Sequence, residues 1–485
     1  MILAAILVFP LIPAILTAFP RSERIVLPAT FIAALGALGL TLAASAAIVR
    51  TGTSIVAISR WMELDGFGAL MELLIAFVAA TATLYSWGYI LATERAPARV
   101  RLYAANMNLF VFSMLAIPLV VEPGLAWIAV ELTTLFSVLL VCFENTREAL
   151  EAAWKYMTIT LVGATAAVLG FLILFWAMRS VGGFEFTFAQ LVAAAPRLSP
   201  TLVAVAFFLI LVGFGAKIGF VPLHTWVPDV YSQAPSPVCA LLSGVETSAV
   251  LYVILRLVPV FRAVPTLHAD TWLLSVGLIA TGVAAFLILQ TPDYKRLFAF
   301  STVEHMGIIT LAVGLGTTAA AYGAVWQIVA HALTKSFCFF AAGATLAATG
   351  TRNIADVRDL VGNNRSTAVA LFVAALAIAG APPFSVFLSE LAIARAAFGS
   401  SQVVVALLFL FFVGVAFFGL SGRTMSMIFG APPKSRQRPI RQGRALPLPS
   451  RVAIVAAAIP VVVLGLWIPV PLAALLRASS AALLR

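Results

Sequence analysis

Charge is scarce in this chain. Of its 485 residues, 10% are Asp, Glu, Lys or Arg and 62% are hydrophobic, with a mean hydropathy of +1.08. Soluble domains carry about a quarter charged residues, so this shortage excludes an ordinary soluble enzyme. Cysteine is scarce too. Cys142, Cys239 and Cys338 lie far apart and form no CxxC pair, whereas iron–sulfur clusters and structural zinc need clustered thiolates. The three read as small packing residues in apolar runs, and the chain is expected to carry no cofactor and no metal. A phosphate-binding loop and a Ser–His–Asp spacing are both missing. No loop is long enough to build a watered cleft, so no catalytic residue is expected. The first apolar run lacks a charged leader and a small-residue cleavage site, which makes it a retained helix.

Long apolar runs are what the chain has. A bilayer core takes about 20 apolar residues per helix. About fourteen such segments run near 2–18, 26–48, 66–91, 102–121, 123–143, 156–178 and 201–222, then 236–257, 271–290, 297–316, 320–347, 366–389, 401–422 and 452–470. The fold class expected is an all-α polytopic membrane protein, a single transmembrane domain over 1–485. Formal net charge is +11. Its positive residues sit between apolar runs, which fits loops beside anionic lipid rather than nucleic acid. With the N-terminus outside, nineteen Lys and Arg fall in the inner loops and nine on the other side. The positive-inside rule then places both termini on the periplasmic side of a bacterial inner membrane. Residues 425–451 form a basic, Pro-rich loop facing the cytoplasm, and 452–485 the last helix and tail.

A weak internal echo is visible. The seventh segment reads LVGFGAKIGFVPLHTW and the twelfth AIAGAPPFSVFLSE. Each is interrupted by Gly or Pro, with an ionisable residue near the break. They lie five segments apart, so 102–257 and 271–424 read as two five-helix repeats. An odd helix count inverts one relative to the other, and broken helices at matching positions point to an ion site.

Ionisable residues at bilayer depth cost about 2.5–3.5 kcal/mol each on insertion scales and are functional candidates by default. Glu131 lies in the fifth segment and Lys217 in the seventh. Desolvation disfavours the charged form of a lysine and a nearby carboxylate favours it, so a Glu131–Lys217 pair of changing separation would act as a proton switch. Glu246 lies in the eighth segment, and Glu304 and His305 are adjacent in the tenth. His331 and Lys335 share a helix face in the eleventh, and Glu390 ends the line in the interrupted twelfth. Carboxylate, imidazole and amine alternate along this series, and each can hold or pass a proton where water bridges the gaps.

The stretch KIGFVPLHTWVPDVYSQAPSPVCALLSG resembles a signature of the antiporter-like subunits of respiratory complex I, multisubunit cation/proton antiporters and membrane-bound hydrogenases. DYKRLFAFSTVEHMG and HALTKSFCFFAAG are two further blocks of that family. The likeness spans roughly 65–425 in matching order. The wording around VEHMG, IAGAPPFSVFLSE and EAAWKYMTI points to the hydrogenase-4 component F type. The resemblance implies fourteen helices, two inverted five-helix repeats and broken helices 7 and 12. It matches Glu131 to the fifth-helix glutamate, Lys217 to the seventh-helix lysine, His331 and Lys335 to the eleventh-helix pair and Glu390 to the twelfth-helix exit residue. One departure stands out: where quinone-linked relatives usually carry histidine or lysine in helix 8, this chain has Ser243, with Glu246 one turn later as a substitute. The resemblance lacks the long lateral helix of the distal complex I subunit, so a place mid-complex or beside another antiporter-like subunit is expected.

The function expected is therefore a proton-translocating subunit of a redox-driven complex, a membrane part of an oxidoreductase without a redox centre of its own. Its expected partners are other membrane and redox subunits, the bilayer, and protons, with sodium left open. A cation/proton antiporter or inorganic-carbon uptake subunit is the alternative.

Overall fold

The computed structural model describes residues 1–58, 61–93, 95–431 and 446–484. Most of the 425–451 loop expected to be basic thus lies outside the described residues. Within a bilayer every backbone N–H and C=O must find its partner inside the segment, which leaves helices as the solution for apolar runs of this length. Eleven helices among the described residues are long and apolar enough to cross a membrane.

The chain opens with α1 (Ile2–Leu16) and α2 (Val26–Thr51), followed by a small hairpin of β1 (Ile55–Ala57) and β2 (Met62–Leu64) that pairs Val56 with Glu63. The hairpin was not anticipated from sequence. Asp65 then caps α3 (Gly66–Leu91), its Oδ1 accepting from the Gly68 amide at 2.7 Å. Next come α4 (Pro97–Ala116), α5 (Pro123–Val141), the long α6 (Arg147–Ser180), a surface helix α7 (Phe188–Ala194), and α8 (Pro200–Ile218).

The seventh segment is broken, as its Gly and Pro content predicts. α8 stops at Gly219, whose φ of +91° suits glycine alone among common residues. A 3-10 turn follows over Leu223–Thr225, and α9 (Trp226–Gln233) resumes the helix. The eighth segment is also irregular, which the sequence reading did not anticipate. α10 (Ser236–Leu241) passes into a π-helical turn over Leu242–Glu246 before α11 (Thr247–Arg262).

The second half holds α12 (Ala269–Gln290), α13 (Tyr294–Gly314), α14 (Thr318–Thr349), the short α15 (Leu360–Asn363), α16 (Arg365–Ile378) and α17 (Ser385–Gly399). The twelfth segment is thus also broken, between α16 and α17 at Gly380 and the two prolines that follow. After α18 (Val403–Phe429) come α19 (Leu448–Leu466) and a separate α20 (Val470–Ala482), so the expected single last helix and tail is two helices.

Burial sorts these helices into centre and rim. The apolar window within Ser236–Arg262 is 100% buried, and those of α13 and α14 are each 94% buried, against 28% for α18 and α19. The rim presents large apolar side chains outward, among them Trp176, Val404 and Phe418. Such a surface belongs in lipid. The three innermost helical segments are those that carry Glu246, Glu304, His305, His331 and Lys335.

Candidate functional site

The site begins at the end of α8. Lys217 Nζ, 1% exposed, lies 3.1 Å from Oε1 of Glu246, which is fully buried. The ammonium also donates to the Val130 carbonyl at 3.0 Å and to the Thr134 hydroxyl, so its three donors have three acceptors. Thr133 donates to the same Glu246 oxygen at 3.0 Å. Glu246 Oε2 has no hydrogen-bond partner.

This pairing differs from the one expected. The carboxylate in contact with Lys217 is Glu246, not Glu131. The reason is helix rotation: residues 130, 133 and 134 fall on one face of α5, and 131 is turned about 100° from 130. Glu131 stands on the flank of that face, half-buried, with an Oε1 that makes no hydrogen bond.

The π-helical turn joins the two halves. The Ser243 carbonyl accepts from His331 Nε2 at 2.9 Å and from the Thr247 hydroxyl at 3.0 Å. The Ser243 hydroxyl pairs with Thr302 Oγ1 at 2.7 Å. A π-turn adds a residue to the helix and disrupts the regular i→i−4 ladder, a feature common at functional sites. The position where the sequence lacked a basic relay residue thus reaches α14 through its backbone.

Beyond it, the rings of His331 and His305 lie 5.2 Å apart. His331 Nδ1 has no partner. His305 Nδ1 contacts Gln327 Nε2 at 2.9 Å, and its Nε2 faces the Ile378 carbonyl at 3.2 Å. Those partners fix the neutral tautomer with the proton on Nε2. Gln327 in turn accepts from the Ser389 hydroxyl. Adjacent to Ser389 is Glu390, 7% exposed, its carboxylate seated against Gly380. Lys335 is fully buried and donates to the Phe298 carbonyl at 2.6 Å and to the Ser301 hydroxyl. Glu304 is 3% exposed, and its Oε2 has no hydrogen-bond partner.

Six of the eight predicted residues therefore stand on or beside one polar line: Lys217, Glu246, then His331, His305 and Glu390, with Lys335 one turn from His331. Glu131 and Glu304 flank it. Sequence reasoning passed over Thr133, Thr134, Gln327 and Ser389. Gln327 was findable, since it precedes His331 by four residues and extends the His331/Lys335 stripe. The three cysteines are unpaired, and Cys239 and Cys338 are buried.

Residues 124–417 match the transmembrane family of NADH:quinone oxidoreductase and Mrp antiporter proteins. The chain belongs to that family. The hydrogenase-4 component F homolog of Methylacidiphilum infernorum is 34% identical over 413 residues, covering 84% of this chain and 85% of that protein. NADH-quinone oxidoreductase subunit N of Desulforudis audaxviator is 26% identical, covering 88% and 90%. Na(+)/H(+) antiporter subunit A1 of Staphylococcus aureus is 29% identical over 73% of this chain and 46% of its own length. The fold also superposes on a subunit of an archaeal respiratory complex, the membrane-bound sulfane sulfur reductase, with TM-score 0.87, 24% identity and coverage of 99% and 97%. The Mrp complex of Dietzia sp. gives TM-score 0.84, 22% identity and the same coverage. The relatives and structural neighbours of this family member are parts of multisubunit membrane complexes.

Proposed function

We propose that this chain carries protons across a bacterial inner membrane as one subunit of a redox-driven complex of the hydrogenase-4 or NADH-quinone oxidoreductase kind. The observation that carries this reading is the buried polar series from Lys217 through Glu246 and the Ser243 turn to His331, His305, Gln327, Ser389 and Glu390, whose gaps water would bridge. Every side chain in it is buried. Isolated ionisable groups at that depth are costly, and a static scaffold has no use for them in sequence. Redox chemistry in partner subunits would bias the Lys217–Glu246 contact. Opening it releases a proton toward His331, with Glu131, Glu304 and Lys335 setting the local field, and Glu390 is the exit. Moving one charge against 100 mV costs about 2.3 kcal/mol, comparable to the breaking of a buried ion pair at about 3–5 kcal/mol.

This reading keeps the fourteen-helix topology, the inverted repeats at 102–257 and 271–424, and termini on the periplasmic side as its working geometry. The test is proton uptake by vesicles holding the assembled complex, driven by its electron donor. Lys217→Ala should abolish uptake, and wild-type uptake in that variant would overturn the mechanism. The likeness to the Staphylococcus antiporter subunit supports a second reading, in which the same path exchanges protons for a cation without redox drive. Copurified partner subunits distinguish the two, since iron–sulfur or nickel–iron subunits belong only to the first.

A further inference from the structure

One buried carboxyl lies outside the path described above. Glu72 sits in α3, is fully buried, and neither of its oxygens has a hydrogen-bond partner. It follows Asp65 by seven residues, two helical turns, so the two share a face of α3. Asp65 is ion-paired with Arg256 of α11. Tyr252, one turn before Arg256, lies within electrostatic range of both Glu72 and Asp65 and packs its ring 4.7 Å from that of Phe67. Two more unpartnered polar groups lie on the buried face of α2, which packs along α3: the hydroxyls of Thr41 and Ser45. Ser45 is six residues before the end of α2, and Glu72 six residues after the start of α3. At 1.5 Å per residue both lie about 9 Å in from the end of the bundle that holds the hairpin.

An ionised carboxylate in such a place, without counter-charge or donor, is too costly to persist; the group neutralises instead. Glu72 forms no ion pair among the described residues. The charges that packed elements bring to this end are Glu63 and Asp65 beside it, Arg256 on α11, Arg50 on α2 and Arg477 on α20, with Tyr252 as the remaining titratable group. Arg256 is already committed to Asp65. Buried polar groups that lack protein partners call for water or an ion, and Glu72 and Ser45 lie at one depth on two packed helices, with Thr41 one turn deeper.

We infer that Glu72 holds a proton at rest, in a hydrated pocket between α2, α3 and α11 that opens toward the hairpin end of the bundle. It is a second proton-holding site, separate from the Lys217–Glu390 line. A role in delivering or receiving translocated protons rests on the function proposed above, but protonation of Glu72 does not.

Infrared spectroscopy of the purified full chain in phospholipid nanodiscs at neutral pH tests this. Wild type minus Glu72→Gln should show the loss of one C=O band of a protonated carboxyl, and that band should shift promptly in D2O. Independently of any variant, dicyclohexylcarbodiimide should label Glu72 of the wild type, as mapped by peptide mass spectrometry. No lost band together with no label would overturn the inference. A band that does not shift in D2O would overturn the hydrated pocket. Loss of band and label in sodium chloride but not in potassium chloride would make this a sodium site and overturn the proton assignment. Because these readouts need no electron donor and no partner subunit, they fail separately from proton uptake by the complex.

Discussion

His331 Nε2 lies 2.9 Å from the carbonyl oxygen of Ser243, a backbone group inside a π-helical turn. The main chain of the turn therefore holds His331 in place between the two halves of the polar line, and the side chain of residue 243 is secondary to that positioning. The serine hydroxyl serves a separate bond to Thr302. Ser243→Ala is expected to keep proton uptake near wild type and to lower stability by about 1 kcal/mol, the worth of one hydrogen bond. His331→Ala removes the imidazole at that carbonyl and should abolish uptake. Uptake measured on vesicles of both variants checks the contrast; equal loss in the two would place the serine hydroxyl in the proton path.

Lys217 and Glu246 form a pair with 1% and 0% side-chain exposure. Removing one partner of such a pair strands the other, at about 3–5 kcal/mol, whereas apolar replacement of both is often neutral. Lys217→Met alone should lower heat stability of the detergent-solubilised protein markedly. Lys217→Met combined with Glu246→Leu should restore it while leaving proton uptake absent. This double variant separates loss of transport from loss of fold. Recovery of uptake with recovery of stability would show that the pair is structural.

Glu131 behaves differently because it is half-buried and outside the Lys217 contact. Its Oε1 makes no hydrogen bond, so Glu131→Gln breaks nothing that holds the fold. Its thermal unfolding should stay close to wild type, within about 0.5 kcal/mol, as for substitutions away from buried networks. Proton uptake should nonetheless fall, since the negative charge that tunes the Lys217–Glu246 contact is gone. Unchanged uptake would remove Glu131 from the mechanism.

Much of this was legible in the sequence, for physical reasons. Apolar length and charge scarcity are local properties, so the helices could be placed, and Gly and Pro marked both broken segments. The buried charges stood out against their surroundings for the same reason. What was hidden depends on three-dimensional neighbours. The partner of Lys217 is decided by how α5 and the π-turn are rotated toward α8, which no spacing reveals. The π-turn in LSGVE holds only a single glycine, Gly244, which on its own does not distinguish a π-turn from a regular helix. Glu72 was passed over inside GALMELLIAF, where one carboxylate near a helix start reads as an interfacial residue until its burial is known.

Gly380 offers the sharpest test of the far end of the path. Its φ is +76°, a conformation that side-chain-bearing residues adopt at a cost of about 1–3 kcal/mol. A β-carbon there would also run into Oε2 of Glu390. Gly380→Ala must therefore both strain the break between α16 and α17 and push the Glu390 carboxylate from its seat. The expected result is a stability loss of that size with a disproportionate fall in proton uptake. Glu390→Gln, which leaves the backbone unstrained, should reproduce the fall in uptake with little loss of stability. Measuring unfolding and uptake side by side in both variants isolates the carboxylate as the functional group. If Glu390→Gln pumped normally, the defect in Gly380→Ala would be one of backbone alone, and the exit would have to be sought elsewhere.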